Sequence, residues 1–249
     1  MLAFVVLFIA AFCAGIQNAL AGGGSFLTFP ALMFTGLDAR AANITSTVAL
    51  FPGQITTGFA GRKHVSDLPQ LSFKALFVIS LIGGVLGAIL LLATPVSIFE
   101  FLVPWLVLFA TFVFLWGSFF RKIKETSKPL GTAGAVVAQF AISIYGGYFG
   151  GGIGILMLAA LTIAGLAVRK AGATKNVLAG VMNASAVLIF LFSSDVAWPQ
   201  VMVGAIASIA GGQVGAFALQ HVNEKKLRIG IIILGFGLAI GLFVKAHGV

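Results

Sequence analysis

The chain repeats itself, and each copy carries the same interruption. Ala21-Gly22-Gly23-Gly24-Ser25-Phe26-Leu27 returns as Phe149-Gly150-Gly151-Gly152-Ile153-Gly154-Ile155, a glycine triplet followed each time by a short apolar segment. Sliding the sequence on itself by 128 to 130 residues aligns further landmarks: Gly36-Leu37 with Gly165-Leu166, Arg40 with Arg169, Ala42 with Ala171, Thr45 with Thr174, Leu68-Pro69-Gln70 with Trp198-Pro199-Gln200, and Gly83–Ala88 with Gly211–Ala216. One nearly constant offset across so many positions marks a duplication. In a hydrophobic chain, matched breaks in two halves point to helices interrupted inside a bilayer around a binding site.

The surroundings of the triplets are apolar enough for that setting. Of 249 residues 60% are hydrophobic and 8% charged, where an ordinary soluble domain has about 25% charged residues. A span needs about 20 apolar residues, so the chain has room for roughly eight. They read as Leu2–Leu20, Ala41–Ala60, Leu71–Leu92, Val96–Phe119, Leu130–Phe149, Lys175–Phe192, Pro199–Gln220 and Leu227–Val244. Phe26–Phe34 and Ile153–Ile163 are too short to cross. Period-2 alternation is absent, which predicts an all-α polytopic membrane protein and not a barrel. Leu2–Leu20 lacks a basic leader and is read as part of the fold, although Ala11-Phe12-Cys13-Ala14 faintly resembles a cleavage site. Cys13 is the single cysteine, so no intramolecular disulfide and no cysteine metal cluster is expected.

The net charge of +9 has its plainest cause in the gathering of basic residues in cytoplasmic loops. No basic stripe with interleaved aromatics and no soluble domain is present to bind nucleic acid. The same rule decides how the copies are oriented. If each triplet is the tip of a hairpin, each copy crosses an odd number of times and the copies are inverted. The loops 61–74, 121–129, 165–175 and 220–228 then share one side and carry Arg62, Lys63, Lys74, Arg121, Lys122, Lys124, Lys128, Arg169, Lys170, Lys175, Lys225, Lys226 and Arg228. Those are thirteen of the fifteen basic residues; only Arg40 and Lys245 fall outside. If the short segments instead complete the first span of each copy, the split is eight against seven. The inverted arrangement is therefore expected: residues 1–120 as the first repeat, 121–129 as a cytoplasmic linker, 130–249 as the second repeat, and both termini outside, periplasmic for a bacterial inner membrane.

Three successive glycines lose about 1 kcal/mol each relative to alanine within a helix; they supply tight turning and close approach. Broken backbone in lipid is tolerated only against protein or a water-filled cavity. Each triplet opens a helix whose free N–H groups can face an anion, with Ser25 placed to cap the first. Neither triplet reads as a nucleotide loop, for want of the following lysine and a strand. Gly83/Gly87, Gly211/Gly215 and Gly237/Gly241 have the spacing of helix-packing glycines.

The deep polar side chains are mostly uncharged: Gln17, Asn18, Asn43, Thr45, Ser46, Thr47, Gln54, Thr56, Thr57, Gln139, Thr174, Asn176, Asn183, Ser185 and Gln213. Hydrogen-bonded glue between helices is the plainer reading for any one of them; as a set they suit a lined pathway. Gln54 aligns with Asn183, and such symmetric pairs suit a site on a pseudo-two-fold axis. Lys175 either snorkels to the cytoplasmic surface or faces the cavity and attracts an anion. Asp38, Asp67, Glu100, Glu125, Asp195 and Glu224 fall at helix ends or loops, which argues against a buried carboxylate proton relay. No HExxH or GxSxG motif is present, so an enzyme is not expected.

Gly22–Pro30 through Gly36 and Ala42–Ser46, with the echo Gly147–Gly154 through Gly165 and Ala171–Asn176, resembles the sulfite exporter TauE/SafE family, also called sulfonate permeases. The likeness extends over essentially the whole chain. It implies a bacterial inner-membrane transporter of sulfite, sulfoacetate or related organosulfonates, with no cofactor. One departure from internal symmetry is Lys175, where the first copy has Ser46.

The expectation is a small anion held between Gly22, Gly23, Gly24 and Ser25 on one side and Gly150, Gly151, Gly152 and Ile153 on the other. Thr45, Gln54, Lys175, Asn176 and Asn183 complete the substrate-binding set. No catalytic or metal-ligating residue is assigned. The partners are the anion and the lipid bilayer, with a homo-oligomer left open. An anion channel on the same scaffold and an uptake permease for sulfate or thiosulfate are the alternatives.

Overall fold

A computed structural model describes residues 1–20, 23–61, 63, 65–116, 130–218 and 224–247. Gly22 and the linker 121–129 lie outside the described residues, as do the side chains of Arg62, Lys225, Lys226 and Arg228. Ten helices occur among the described residues: α1 (Leu2–Leu20), α2 (Ser25–Phe34), α3 (Ala39–Gly61), α4 (Phe73–Ala93), α5 (Val96–Leu115), α6 (Thr132–Tyr148), α7 (Ile153–Ile163), α8 (Val168–Phe190), α9 (Trp198–Ala218) and α10 (Glu224–His247). Eight are long, and α2 and α7 have 10 and 11 residues. At about 1.5 Å per residue these two reach roughly 15 Å, half the hydrocarbon thickness. Four helices among the described residues, α1, α4, α5 and α8, are apolar and long enough to cross by themselves. α3 is as long as α8, but its turns hold Asn43, Thr45, Ser46 and Thr47, directed mainly into protein.

Most boundaries fall within a few residues of those read from hydropathy, and α8 departs furthest. It begins at Val168, seven residues before the expected start at Lys175, and Arg169 and Lys170 ride exposed on its first turn. The charges that looked like a loop are helical residues, and Lys175 lies two turns inside α8 instead of at its mouth.

The connectors gather into two groups. In one, Arg40 donates to the Thr94 carbonyl at 2.9 Å and pairs with Asp195 at 2.8 Å, joining the entry to α3, the exit of α4 and the α8–α9 connector. In the other, Gln70 donates to the carbonyls of Leu130 and Ala164, and the Ser66 N–H donates to Thr174. α4 runs from the second group to the first, about 30 Å away. The groups are therefore opposite faces.

Inversion is visible in paired details. Thr45 accepts from the Ala197 N–H on the Arg40 face, while its repeat mate Thr174 accepts from the Ser66 N–H on the other. α2 ends on Gly36 at φ +99° and α7 on Gly165 at φ +110°, each a left-handed stop after a short helix. α2 thus returns to the face from which α1 came, and α7 does the same for α6.

Each hairpin is clasped by the opposite half. α1 packs on α9 so closely that a Cβ on Gly215 would stand 2.8 Å from the Ile16 Cα; α6 packs on α4, where a Cβ on Gly87 would stand 2.8 Å from the Tyr148 N. Gly83/Gly87 and Gly211/Gly215 are thus packing glycines. Gly237 and Gly241 are not: their Cα positions face open space within the chain. Outward positions carry large apolar side chains, including Leu86, Ile89 and Leu90 on α4 and Phe101, Trp105 and Phe112 on α5. An apolar exterior around a core that holds buried Asn, Gln, Ser and Thr is the pattern required by lipid.

Candidate functional site

The two helix breaks meet between the halves. At the first, Gly23 is left-handed (φ +91°) and the Gly24 N–H donates to Asn18 Oδ1 at 2.8 Å. Helical geometry begins at Gly24 (φ −55°, ψ −25°), so Ser25 is the first helical residue and makes no cap. The capping role expected of Ser25 falls to Asn18, one turn back on α1. No side chain larger than hydrogen fits at Gly24, because a Cβ would stand 2.7 Å from the Ala14 carbonyl oxygen. At the second break, Gly150 (φ +77°) and Gly152 (φ +73°) are both left-handed and α7 opens without a side-chain cap. The N–H groups at the start of such a helix lack intrahelical partners.

A cavity of about 610 Å³, mouth included, lies against these turns. Its walls are Asn18, Gly23, Ser25, Thr47, Leu50, Gln54, Gly150, Ile153, Gly154, Lys175, Asn176, Ala179, Gly180 and Asn183. Asn183 Nδ2 donates to Gln54 Oε1 at 2.6 Å across a sequence separation of 129. These two are repeat mates, and a residue can touch its own mate only at the axis relating the copies. The cavity therefore sits on the pseudo-two-fold axis, with α3 and α8 as its two symmetric walls.

The structure brings Gly23, Ser25, Gln54, Gly150, Ile153, Lys175, Asn176 and Asn183 of the expected set to this cavity. Gly24 and Gly152 lie behind the turns, and Gly151 faces a second, smaller cavity. Thr45 stands apart, with its hydroxyl bound to Asp195 and Ala197 at the Arg40 face. Asn18, Thr47, Leu50, Gly154, Ala179 and Gly180 were not in the expected set. Asn18 and Thr47 were already among the deep polar residues that suit a lined pathway, but with Gln17 beside the first and Asn43, Thr45 and Ser46 ahead of the second, the sequence did not show which of these neighbours faces the cavity.

Symmetry fails where charge enters. Ser46, the mate of Lys175, is buried and bonds Thr28 at 2.6 Å. Lys175 lines the cavity, is 7% exposed, and has no carboxylate partner among the described residues. None of the lining residues is acidic. A nearly buried ammonium without a counter-ion is unfavourable by several kcal/mol unless something else neutralises it. Around it stand the amide groups of Asn18, Gln54, Asn176 and Asn183 and the hydroxyl of Ser25, groups that carry N–H or O–H donors for an oxyanion, while the Thr47 hydroxyl donates to the Asn43 carbonyl.

Comparison with known proteins gives the chain's family. The sequence model of the family described as sulfite exporter TauE/SafE matches residues 7–242. A protein of Haemophilus influenzae named "Probable membrane transporter protein" is 29% identical over 237 residues, 93% of this chain and 91% of its own. One from Sinorhizobium, "Probable membrane transporter protein ORF9", is 31% identical over 239 residues, covering 95% and 90%. Escherichia coli K12 "Probable membrane transporter protein YfcA" is 28% identical over 246 residues, covering 98% and 90%. No solved structure matches the chain significantly.

Proposed function

Because the chain belongs to the TauE/SafE family of sulfite exporters and is a membrane transporter, we propose that its cargo is a small sulfur-containing anion, sulfite or a short organosulfonate, moved outward by alternating access. The anion sits between the two glycine breaks, against Lys175 and the amides of Gln54, Asn176 and Asn183. The observation that carries this reading is Lys175, a nearly buried cation without a carboxylate partner among the described residues in a cavity without acidic walls. The anion supplies the missing countercharge, and the neutral donors share its oxygens. The repeat that places these groups on the axis also supplies the motion, one set of helices rocking against the other about a fixed site. The basic residues of the linker 121–129 and its neighbouring loops support a cytoplasmic position for that face and periplasmic termini in the inner membrane.

The test is thermal unfolding of the detergent-purified protein with sulfite, sulfate, thiosulfate, sulfoacetate, taurine, phosphate and chloride. A ligand at 100 times its Kd stabilises the native state by about 2.7 kcal/mol, so sulfite or a sulfonate is expected to raise Tm clearly. Lys175→Met is expected to abolish that rise while leaving the ligand-free protein at least as stable, since it removes a buried charge. Unchanged sulfite stabilisation in Lys175→Met would sink the assignment. Outward sulfite flux in proteoliposomes, lost in the same variant, then tests transport itself.

A further inference from the structure

A second cavity of about 230 Å³ lies on the other side of the glycine breaks. Its position follows from its walls. Asn43 stands one turn into α3 from the Arg40 face, whereas Lys175 is adjacent to Thr174, which is bound to the opposite connectors. Ser25 borders both cavities; Gly23 and Gly150 face the first and Gly151 the second. The two spaces are thus stacked along one line through the gap between the breaks.

Two contacts bear on closure toward the Arg40 face, one in the wall of the second cavity and one among the connectors. Phe29 of α2 and Phe149 at the break of the second half meet edge to face, centroids 6.1 Å apart at 74°, and both are almost fully buried. Arg40 then ties Thr94 and Asp195 together across that face. The Phe29–Phe149 contact and the Arg40–Asp195 pair each join one half of the chain to the other, whereas Arg40–Thr94 lies within the first half, so rocking that opens this face must break the first two. An apolar plug of this kind excludes a hydrated ion, while the polar first cavity admits one.

We propose that the second cavity is the sealed outer half of the transport path, with the Phe29–Phe149 contact as its seal and the Arg40–Asp195 pair as the latch. The inference rests on the transport reading and assigns the conformation: accessible from the Lys175 side, shut on the Arg40 side.

Single-cysteine accessibility tests it. In a Cys13→Ala background, Ala179→Cys places a thiol in the first cavity and Val107→Cys one in the second, where Val107 is fully buried. A membrane-impermeant thiosulfonate is applied to right-side-out and inverted vesicles. Ala179→Cys is expected to react from one face. Val107→Cys is expected to be inert until combined with Phe149→Ala, Phe29→Ala or Arg40→Gln, and then to react from the opposite face. Loss of one aromatic pair shifts a sealed-to-open ratio by roughly tenfold, which is the rise in labelling rate to look for. Retained Ala179→Cys labelling reports folding, and Arg40→Gln, which changes a side chain 19% exposed among the connectors, decides if the aromatic variants fail to fold. Val107→Cys reacting from the same face as Ala179→Cys would overturn the proposal, as would inertness in every folded variant. Labelling is read without any anion, so a labelling pattern that holds while sulfite fails to bind would sink the cargo assignment and leave the path standing.

Discussion

Glycine spacing alone does not tell a packing face from an empty one, and single substitutions separate them. In Gly87→Ala the new Cβ meets the Ile144 carbonyl and the Tyr148 N–H, both backbone, so neither can swing away. The expected loss is about 1–3 kcal/mol, read as a lower Tm in detergent. Gly237→Ala meets nothing within 4 Å and is expected to be neutral or to stabilise by up to about 1 kcal/mol through helix propensity. In sequence both glycines belong to GxxxG pairs; what differs is the neighbour, which is a property of the bundle. Thr45 teaches the same lesson. Its alignment with Thr174 is matched in the structure by equivalent bonds, but the equivalence is that of two pins holding connectors on opposite faces. Gln54 and Asn183, found by the same alignment, meet on the axis instead. Periodicity identifies partners, and only position relative to the axis distinguishes a pin from a cavity wall.

Helices were legible wherever apolar length and turn chemistry agreed. Leu2–Leu20 is α1 to the residue, and α7 is Ile153–Ile163 as its hydropathy indicates. The start of α8 was not legible, because exposed Arg169 and Lys170 on a helical turn at a membrane face have the composition of a loop. The ends of α2 and α7 depend on backbone conformations that only glycine adopts easily. Gly165→Val, forced to φ +110°, is expected to destabilise by at least about 1 kcal/mol, and Gly165→Asn by less. Unfolding midpoints in detergent compare the two. Within α8, Gly180 lines the first cavity with open space above it. Gly180→Leu should therefore leave Tm unchanged or higher while blocking sulfite flux in proteoliposomes, a separation of stability from transport that a purely structural glycine would not give.

For the whole chain, duplication, inversion and a membrane setting were all present in the sequence, since each leaves a mark that survives averaging over many residues. The asymmetry of the site was present too, as Lys175 against Ser46, but its depth was hidden by the misplaced start of α8. The orientation has its own measurement: reporter fusions at Met1 and after Val249 are expected to be active in the same periplasmic compartment, and one inserted at Glu125 in the cytoplasm. The crossed packing of the hairpins, α1 on α9 and α6 on α4, has a consequence for history as well as for assembly. A single copy of the repeat leaves the glycine-lined flank of its first helix uncovered and its axial amide facing nothing. A half-length forebear could therefore have been stable only as two identical chains inserted head to tail, one up and one down. Such a gene must have been nearly indifferent to which way its product entered the membrane. Fusion would remove that ambiguity, and the thirteen basic residues that the inverted arrangement is expected to gather on one side would be its record.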